Sequence, residues 1–356
     1  MASIKQRPDG KWRARYRDDT GKEHARHFAT KRDGQRWIDE NTAALVTGTH
    51  VEPSRARMTL GEWADVWIRG YERNRASTVR QARVHLRVIV ADLGARPLRA
   101  VRPSEVNTWV ASLAARGYAQ STVYALHRRL SQLFTDAVHD GLIPRSPCSR
   151  RTSPPAAKQR PYVATTEQVW ALHDALPPHF RPVVLLGAFA GLRVAEIAAL
   201  RVSDVDFMRG IITPAVQYPG EPLKSETSKT PIPIPTELAV MLNANPVEWG
   251  SDTIVVGAFG RPVAPYTIET AFKDVRDTID VLPEGFRIHD LRHYFASLLI
   301  AAGLDIKTVQ ARLRHASAKT TLDTYGHMWP DRDESSRAAV AAALRPSVPD
   351  ERLDFA

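Results

Sequence analysis

Apolar and basic side chains alternate near the amino terminus, and this two-residue period predicts a half-buried β-strand. The apolar positions are Trp12, Ala14 and Tyr16, and the basic positions are Arg13, Arg15 and Arg17. The turn-forming residues 18–21 follow, residues 24–28 can return as a second strand, and Lys31–Val46 has a helical pattern. The pattern predicts a small β-hairpin/helix domain over residues 1–50.

The next segment has the period of amphipathic helices and predicts an all-α domain over residues 58–145. Thr59 and Glu62 form a capping-box signature, and two longer helices are predicted over 77–90 and 121–139. The inward-facing positions are Val79, Ala82, Leu86 and Val90 in the first helix, and Leu126, Leu130, Leu133, Phe134 and Ala137 in the second. The outward-facing positions of the second helix include His127, Arg128 and Arg129.

Five prolines within residues 141–161 predict an extended linker over 146–161. Beyond it, helical segments surround a strand-rich stretch at 204–235, which predicts a mixed, mainly α domain with a small antiparallel sheet over 162–345. A tail over 346–356 follows. The predicted fold class is therefore α+β multidomain.

The net charge of +10 and the pI of about 9.8 favour a polyanionic partner, nucleic acid before an acidic membrane surface. Between Arg69 and Arg102, nine arginines stand against two carboxylates, an unusual deficit even for a solvated helix face. The candidates for phosphate contact are Arg13, Arg15, Arg17, Arg80, Arg83, Arg87 and Arg128. Ordinary solvated surface is the alternative for each of these groups.

Other classes of protein are less compatible with the sequence. The single cysteine, Cys148, excludes an intrachain disulfide and a cysteine-rich zinc site. The longest apolar stretch, 183–192, is far shorter than the roughly 20 residues of a membrane span, and the amino end lacks a secretory signal. We therefore expect no membrane contact and a location in the cytoplasm of a bacterial host.

Four segments of the carboxyl-terminal half carry the candidate chemistry. Arg193 begins an apolar helix, where backbone N–H groups also favour an anion. His289 and Arg292 stand at positions i and i+3, which pairs a titratable group with a phosphate-binding fork on one helix face. His315 and Tyr325 follow near the chain end.

Each of these residues also has a purely structural interpretation. Arg193 can pair with Glu196 to stabilise the fold, and Tyr325 can be a half-buried aromatic. The doublet of His289 and Asp290 suggests a metal site, but further ligands at compatible positions are not evident in the sequence. The ordered combination is far more specific than any single member.

This ordered set resembles the tyrosine recombinases, especially the integrases of phages and integrative elements. The resemblance covers about residues 162–330 and implies the catalytic residues Arg193, Lys224, His289, Arg292, His315 and Tyr325. Lys224 is the first lysine of a segment, 222–235, that resembles the family's β-hairpin, and Lys229 is the alternative. Arg314 stands where the family commonly has glycine, and Ala195 where serine is frequent.

The resemblance implies a role for each residue in DNA cleavage. Arg193 and Arg292 would neutralise the nonbridging phosphate oxygens, and His315 would hydrogen-bond one of them. Tyr325 would be the nucleophile, His289 would accept its proton, and the hairpin lysine would protonate the leaving 5′-oxygen. The product would be a 3′-phosphotyrosyl intermediate, and neither a metal nor another cofactor is expected.

The predicted function is site-specific DNA recombination by an integrase that inserts or excises a mobile element. The resemblance implies an arm-type DNA-binding domain at 1–50 and a core-site DNA-binding domain at 58–145. It also implies double-stranded DNA attachment sites, a homotetramer on DNA, a DNA-bending host factor and a directionality factor. An alanine-rich helix at 336–344 would dock on a neighbouring subunit, unless it only caps its own fold. The alternatives are a type IB topoisomerase or resolvase-like enzyme, and a noncatalytic DNA-binding regulator on the same scaffold.

Overall fold

A computed structural model describes most of the chain, which divides into two units, Met1–Lys158 and Gln159–Ala356. The described residues are 2–18, 21–47, 57–156, 161–223, 225–244, 251–257, 260–329 and 333–344. Helices dominate, and the strands of the described residues form small antiparallel sheets. The predicted α+β multidomain fold class is confirmed.

The first unit begins with a three-stranded antiparallel sheet of β1 (Ser3–Gln6), β2 (Trp12–Arg17) and β3 (Glu23–Phe28), in that order. The sequence predicted the hairpin of β2 and β3, while β1 was missed because its four residues have too little alternation. Helix α1 (Lys31–Val46) is capped by the Thr30 side chain and covers the sheet. Gly34 of this helix lies so close to the sheet that an added Cβ would be 2.6 Å from the Ile4 side chain on β1. The buried centre of this sheet-and-helix layer contains Ala14, Tyr16 and Ile38.

Four helices follow in the same unit: α2 (Leu60–Tyr71), α3 (Ala76–Leu93), α4 (Pro103–Ala115) and α5 (Gln120–His139). The capping box that begins α2 has both of its bonds, from the Glu62 N–H to Thr59 Oγ1 at 3.2 Å and from the Thr59 N–H to the Glu62 carboxylate at 2.8 Å. The inward positions predicted for α5 are all buried. In α3, the first and last of the positions predicted to face inward differ: Val79 is buried but Val90 is exposed.

The segment predicted as a linker at 146–161 packs on this helical layer over its first residues. Cys148 and Thr152 are buried, and the Gln120 side chain donates to the Pro155 carbonyl at 3.2 Å. His127, predicted to face outward, is buried and hydrogen-bonded to the Thr152 hydroxyl at 3.0 Å. The expectation for His127 was wrong because the following segment folds back over that side of α5.

The second unit is built on the pairing of two helices. Its helices are α6 (Thr166–Ala175), α7 (Arg181–Phe189), α8 (Val194–Ile197), α9 (Thr236–Asn243), α10 (Pro265–Arg276), α11 (Ile288–Ala301), α12 (Ile306–Arg312), α13 (Ala318–Tyr325) and α14 (Asp333–Leu344). Helix α7 is buried over residues 182–188 and packs on α11, where Gly187 permits close contact with Leu291. This central pair fixes the position of the first turn of α11, which carries the predicted His289 and Arg292.

Two small sheets lie in the predicted strand-rich stretch. The first has the order β4 (Val205–Asp206), β5 (Ile211–Ile212) and β8 (Ile232–Pro233), and the second pairs β6 (Val216–Gln217) with β7 (Glu221–Pro222). A separate apolar cluster joins α11 to α12 and α13. Its buried members are Phe295, Ala296, Ile300, Val309, Leu313 and Tyr325. Across the described ranges, no helix combines the length and the apolar character that crossing a bilayer would require.

Candidate active site

Arg292 joins three sequence segments that are distant along the chain. Its side chain is only 1% exposed, and its two terminal nitrogens donate to the carbonyls of Gly191 and Leu313. Burial, together with the positive charges of Arg193 and Arg314, lowers the pKa of Arg292 to about 9, so the guanidinium stays charged at neutral pH. The predicted arginine, His-x-x-Arg and histidine segments therefore meet at this residue.

Arg193 caps the short helix α8 and pairs with its first-turn carboxylate. Both the Arg193 backbone N–H and its guanidinium donate to Glu196, each at 2.9 Å. Glu196 is 3% exposed, whereas 30% of the Arg193 side chain remains accessible to solvent. The stabilising pair that the sequence allowed is present, and the accessible guanidinium can still meet an anion.

Arg314 was not predicted to belong to the site. Its guanidinium is fully buried and donates to Glu196 at 2.6 Å and to the Ser228 carbonyl at 2.9 Å. Its backbone φ of +53° lies in the left-handed region, where glycine is favoured. Leu-Arg-His in place of Leu-Gly-His was the signal that could have identified this residue.

One carboxylate therefore serves two arginines. Burial by itself raises the pKa of Glu196, but Arg314, Arg193 and the Arg193 backbone N–H outweigh it and lower the pKa below its ordinary value. Since Arg292 bonds to carbonyl oxygens, its charge is left uncompensated by these contacts. The arrangement has an excess of positive charge suited to a phosphodiester.

Three histidines, which we call the histidine cluster, border the arginines: His289, His293 and His315. Burial, followed by nearby positive charges such as that of Arg292, lowers their pKa values to about 4, 3 and 4, respectively. His289 keeps an exposed edge, while His293 and His315 are half-buried. All three are therefore neutral at physiological pH and able to accept or donate a hydrogen bond.

Tyr325 is the last residue of α13 and is 1% exposed. Its hydroxyl lies 2.6 Å from His293 Nδ1, and its ring is parallel to the His315 ring with centroids 6.5 Å apart. His315 Nδ1 is in turn 3.0 Å from the Thr321 hydroxyl. Burial raises the pKa of the Tyr325 phenol to about 12, against the lowering influence of Arg292. The structural alternative offered by the sequence was a half-buried aromatic, and the structure holds Tyr325 fully buried at the packed end of a helix.

His293 was missed by sequence reasoning, although it lies four residues after His289 on the same helix. The two imidazole rings are 4.9 Å apart and nearly perpendicular. Position i+4 on α11 was the available signal. Which of two histidines on one helix face meets the tyrosine depends on how α13 packs, and the local sequence does not determine that packing.

The predicted hairpin lysines have different outcomes. Lys224 lies outside the described residues. Lys229 is exposed and donates to Glu226 at 2.9 Å within a short turn over Glu226–Lys229. Ser228 in that turn is buried and bonded to Arg314, so the turn is attached to the arginine cluster. In the described part of the chain, no group of three His, Cys, Asp or Glu side chains is placed to hold a metal ion.

A family model described as the phage integrase family matches residues 164–332, a range that includes every predicted catalytic residue. The chain is a tyrosine recombinase. The predicted family and enzyme class are thereby confirmed. The recombinase is 27% identical to the prophage phiRv2 integrase of Mycobacterium tuberculosis over 367 residues, which cover 95% of this chain and 94% of that protein.

Two solved structures share the fold of the recombinase. The integrase of transposon Tn1549, in complex with a circular intermediate DNA, aligns with a TM-score of 0.68 at 20% identity, over 80% of this chain and 99% of that one. A lambda integrase tetramer bound to a Holliday junction aligns with a TM-score of 0.63 at 21% identity, over 93% of this chain and 98% of that one. At this identity the likeness shows a common fold.

The arginines nominated for DNA contact lie on the first unit of the recombinase. The three on β2 surround a single glutamate, Glu23, at 3.5 to 3.8 Å. They are Arg13, Arg15 and Arg17. The three on α3 are exposed, and one of them, Arg83, bonds to Glu72. They are Arg80, Arg83 and Arg87. Their charges therefore exceed those of their carboxylate partners.

Arg128 lines a groove of about 780 Å³ on the helical layer of the recombinase. The groove also contains Arg129 and Arg150, and Arg129 lies over the Tyr71 ring at 4.9 Å. Buried His85 faces the same groove, and burial followed by the charge of Arg129 lowers its pKa. The groove is a basic concavity with an aromatic wall, a combination suited to a polyanion.

Proposed function

We propose that this site-specific recombinase is an integrase that cleaves and rejoins DNA through a 3′-phosphotyrosyl intermediate on Tyr325. The observation that carries the proposal is the burial of the Tyr325 hydroxyl among neutral imidazoles. Beside it lie arginines whose combined positive charge exceeds the single negative charge of Glu196. A phosphodiester entering this site supplies the missing negative charge. The charge of Arg292 acts on the Tyr325 phenol, so a charge-neutralising group lies near the attacking oxygen.

Each remaining residue has a role that its surroundings support. Arg193, with its accessible guanidinium, and Arg292, with N–H groups beyond the two that bond carbonyls, stabilise the charge that develops on the nonbridging oxygens. His315, oriented by Thr321, hydrogen-bonds one of these oxygens. Lys224 protonates the leaving 5′-oxygen, with Lys229 as the second candidate. His289 lies among the arginines and either contacts the phosphate or accepts the phenolic proton.

The first unit is proposed to hold the DNA. Residues 1–50 form an arm-type DNA-binding domain, residues 58–145 form a core-site DNA-binding domain, residues 146–161 form a linker, and residues 162–345 form the catalytic domain. The basic groove and the arginines of β2 and α3 supply phosphate contacts, whose contribution falls as salt rises. The Tn1549 and lambda integrases were both solved with DNA, which supports double-stranded attachment sites as the partner.

The proposed assembly is a homotetramer on DNA. The lambda integrase was solved as a tetramer on a Holliday junction, and side chains of this chain's α14 are exposed from 336 to 344. An exposed helix near the chain end is suited to docking on a neighbouring subunit. A DNA-bending host factor and a directionality factor complete the proposal. Topoisomerase-like and purely regulatory functions are not favoured, because the similar proteins are integrases and other tyrosine recombinases.

The experiment uses the full chain and a nicked core-site duplex selected from a random-sequence pool by binding. The duplex is incubated in EDTA, and covalent protein–DNA adducts are resolved by denaturing electrophoresis. We expect an adduct with the wild-type chain and none with Tyr325→Phe. An adduct that persists in Tyr325→Phe, or cleavage that requires magnesium, contradicts the proposed nucleophile.

The lysine assignment needs a separate comparison. Lys224→Ala and Lys229→Ala are assayed on the same duplex, and on one whose leaving 5′-oxygen is replaced by sulfur. A thiolate leaves without a proton, so the substitution should restore the rate of the general-acid variant alone. Equal and small losses in both variants contradict the general-acid assignment.

A further inference from the structure

The tyrosine hydroxyl has a hydrogen-bond partner that the residue roles above do not use. We propose that His293 is a catalytic base that receives the phenolic proton of Tyr325 as the tyrosyl–phosphate bond forms. The inference rests on the proposed function. In the step, the O–P bond from Tyr325 forms and the bond from phosphorus to the 5′-oxygen breaks. The phenolic proton moves to His293 Nδ1, and the leaving oxygen takes a proton from a separate acid.

The geometry favours His293 over the other members of the histidine cluster. Its Nδ1 lies 2.6 Å from the Tyr325 hydroxyl, within the range of a direct proton transfer. The His315 ring is parallel to the tyrosine ring with centroids 6.5 Å apart, and its Nδ1 bonds to the Thr321 hydroxyl. His289 keeps an exposed edge and has Arg292 and Arg193 among the charges that act on it, which suits contact with a phosphate oxygen.

The protonation state of the pair agrees with this role. The pKa of His293 is lowered to about 3 by burial and then by the neighbouring His289 and Arg292, so the ring is neutral. With the ring proton on Nε2, Nδ1 accepts the hydrogen bond that the phenol donates. The phenol itself has a pKa raised to about 12. Without DNA, the proton therefore stays on Tyr325 and the nucleophile is protected from premature reaction.

DNA changes this balance. A phosphodiester brings a negative charge next to the histidine cluster, which favours the imidazolium form of His293. The phenolic oxygen loses its affinity for the proton as it bonds to phosphorus. Transfer to His293 is then favourable in the transition state, where a general base contributes about 100- to 10,000-fold to the rate.

The test separates proton acceptance from simple orientation of the phenol. Asparagine at position 293 places an amide oxygen where Nδ1 of histidine lies, so His293→Asn can orient the phenol but cannot take its proton. We expect both His293→Asn and His293→Ala to lose about 100- to 10,000-fold in the rate of adduct formation. His289→Asn, one turn earlier on α11, is the matched control and should lose less.

Two measurements accompany the rates. Binding of the nicked duplex and thermal unfolding should be close to wild type for His293→Asn, which shows that the site is intact. A sulfur leaving group should restore little of its rate, because the missing proton transfer involves the nucleophile. A His293→Asn rate within threefold of wild type overturns the inference, and so does full rescue by sulfur, which would assign His293 to the leaving group.

The same experiment distinguishes this inference from the function on which it rests. If the wild-type chain forms no adduct that depends on Tyr325, the proposed nucleophile fails and this inference fails with it. If the adduct depends on Tyr325 but His289→Asn abolishes it while His293→Asn does not, only the assignment of the base is wrong.

Discussion

The buried ion pair of Arg314 leads to a quantitative prediction about stability. Arg314 is enclosed in the second unit, bonded to Glu196 at 2.6 Å and to the Ser228 carbonyl at 2.9 Å. Breaking a buried ion pair by removing one partner costs about 3–5 kcal/mol. Because Glu196 keeps its bonds to Arg193, we expect Arg314→Ala to lie at the lower end, at about 3 kcal/mol.

The backbone of Arg314 gives this prediction an internal control. A residue with a Cβ costs roughly 1–2 kcal/mol in the left-handed region that φ of +53° occupies. Arg314→Gly loses the same ion pair but relieves this cost, so its loss should be about 2 kcal/mol. Glycine is then more stable than alanine by about 1 kcal/mol, although it removes one more methyl group.

Calorimetry of the full chain measures both variants. For a unit of about 200 residues, 1 kcal/mol shifts Tm by roughly 2–4 °C. We expect Tm of the affected transition to fall by roughly 6–12 °C in Arg314→Ala and by roughly 4–8 °C in Arg314→Gly. Alanine equal to or more stable than glycine, or a loss below 1 kcal/mol in both, refutes the reasoning.

The pH dependence of this loss follows from Glu196. Arg314 and Arg193 hold its folded-state pKa below the ordinary value of 4.5, although burial opposes them. The stabilisation is therefore complete above that value and is lost as pH falls through the lower folded-state pKa. The difference in Tm between wild type and Arg314→Ala should accordingly be largest at neutral pH and should shrink below pH 4.5. A constant difference across this range argues against an ionised Glu196.

Three further predictions concern the rest of the site. Arg292→Lys cannot reproduce the forked hydrogen bonds to the Gly191 and Leu313 carbonyls, so adduct formation should slow by about 100- to 1,000-fold and Tm should fall. An unchanged rate contradicts the role of Arg292 in stabilising the phosphate charge. Gly191→Ala makes a Cβ clash with the Phe295 ring at a φ of +63°, so calorimetry should show a loss above about 2 kcal/mol. Gly303→Ala is the control, because its φ of +81° has open space around it and its loss should be only about 1 kcal/mol. The histidine cluster has folded-state pKa values below the ordinary 6.5, so its contribution to the free energy of unfolding should be complete above pH 6.5 and decrease toward pH 4. The decrease should reach up to about 1.4 kcal/mol per pH unit for each half-buried histidine and be smaller for the exposed one. A Tm that stays constant over this interval contradicts the prediction.

Several features of this protein are encoded by short-range sequence patterns. The alternation around Tyr16 predicts a strand because neighbouring side chains of a strand point to opposite faces. Thr59 and Glu62 mark the start of α2 because their reciprocal bonds require only a spacing of three residues. The order of Arg193, the His-x-x-Arg segment and Tyr325 likewise identifies the family, since it depends on residue types along the chain.

Other features depend on contacts between distant segments, and no local pattern contains them. Arg314 and Glu196 are 118 residues apart, and their pairing exists only because the α12–α13 region packs against α8. In the same way, His127 is buried because the segment containing Thr152 covers it. A charged or polar side chain is compatible with solvent in both cases, so the sequence alone favours exposure.

Tyr325 shows most clearly which features follow from the sequence and which follow from the tertiary structure. The sequence by itself determined that Tyr325 follows the arginine and histidine segments, and that was sufficient to nominate it as the nucleophile. The tertiary structure decided that its hydroxyl meets His293, at 2.6 Å, while His289 lies one turn away. Residues i and i+4 share a helix face, so the sequence presents both histidines equally, and the packing of α13 on α11 decides between them.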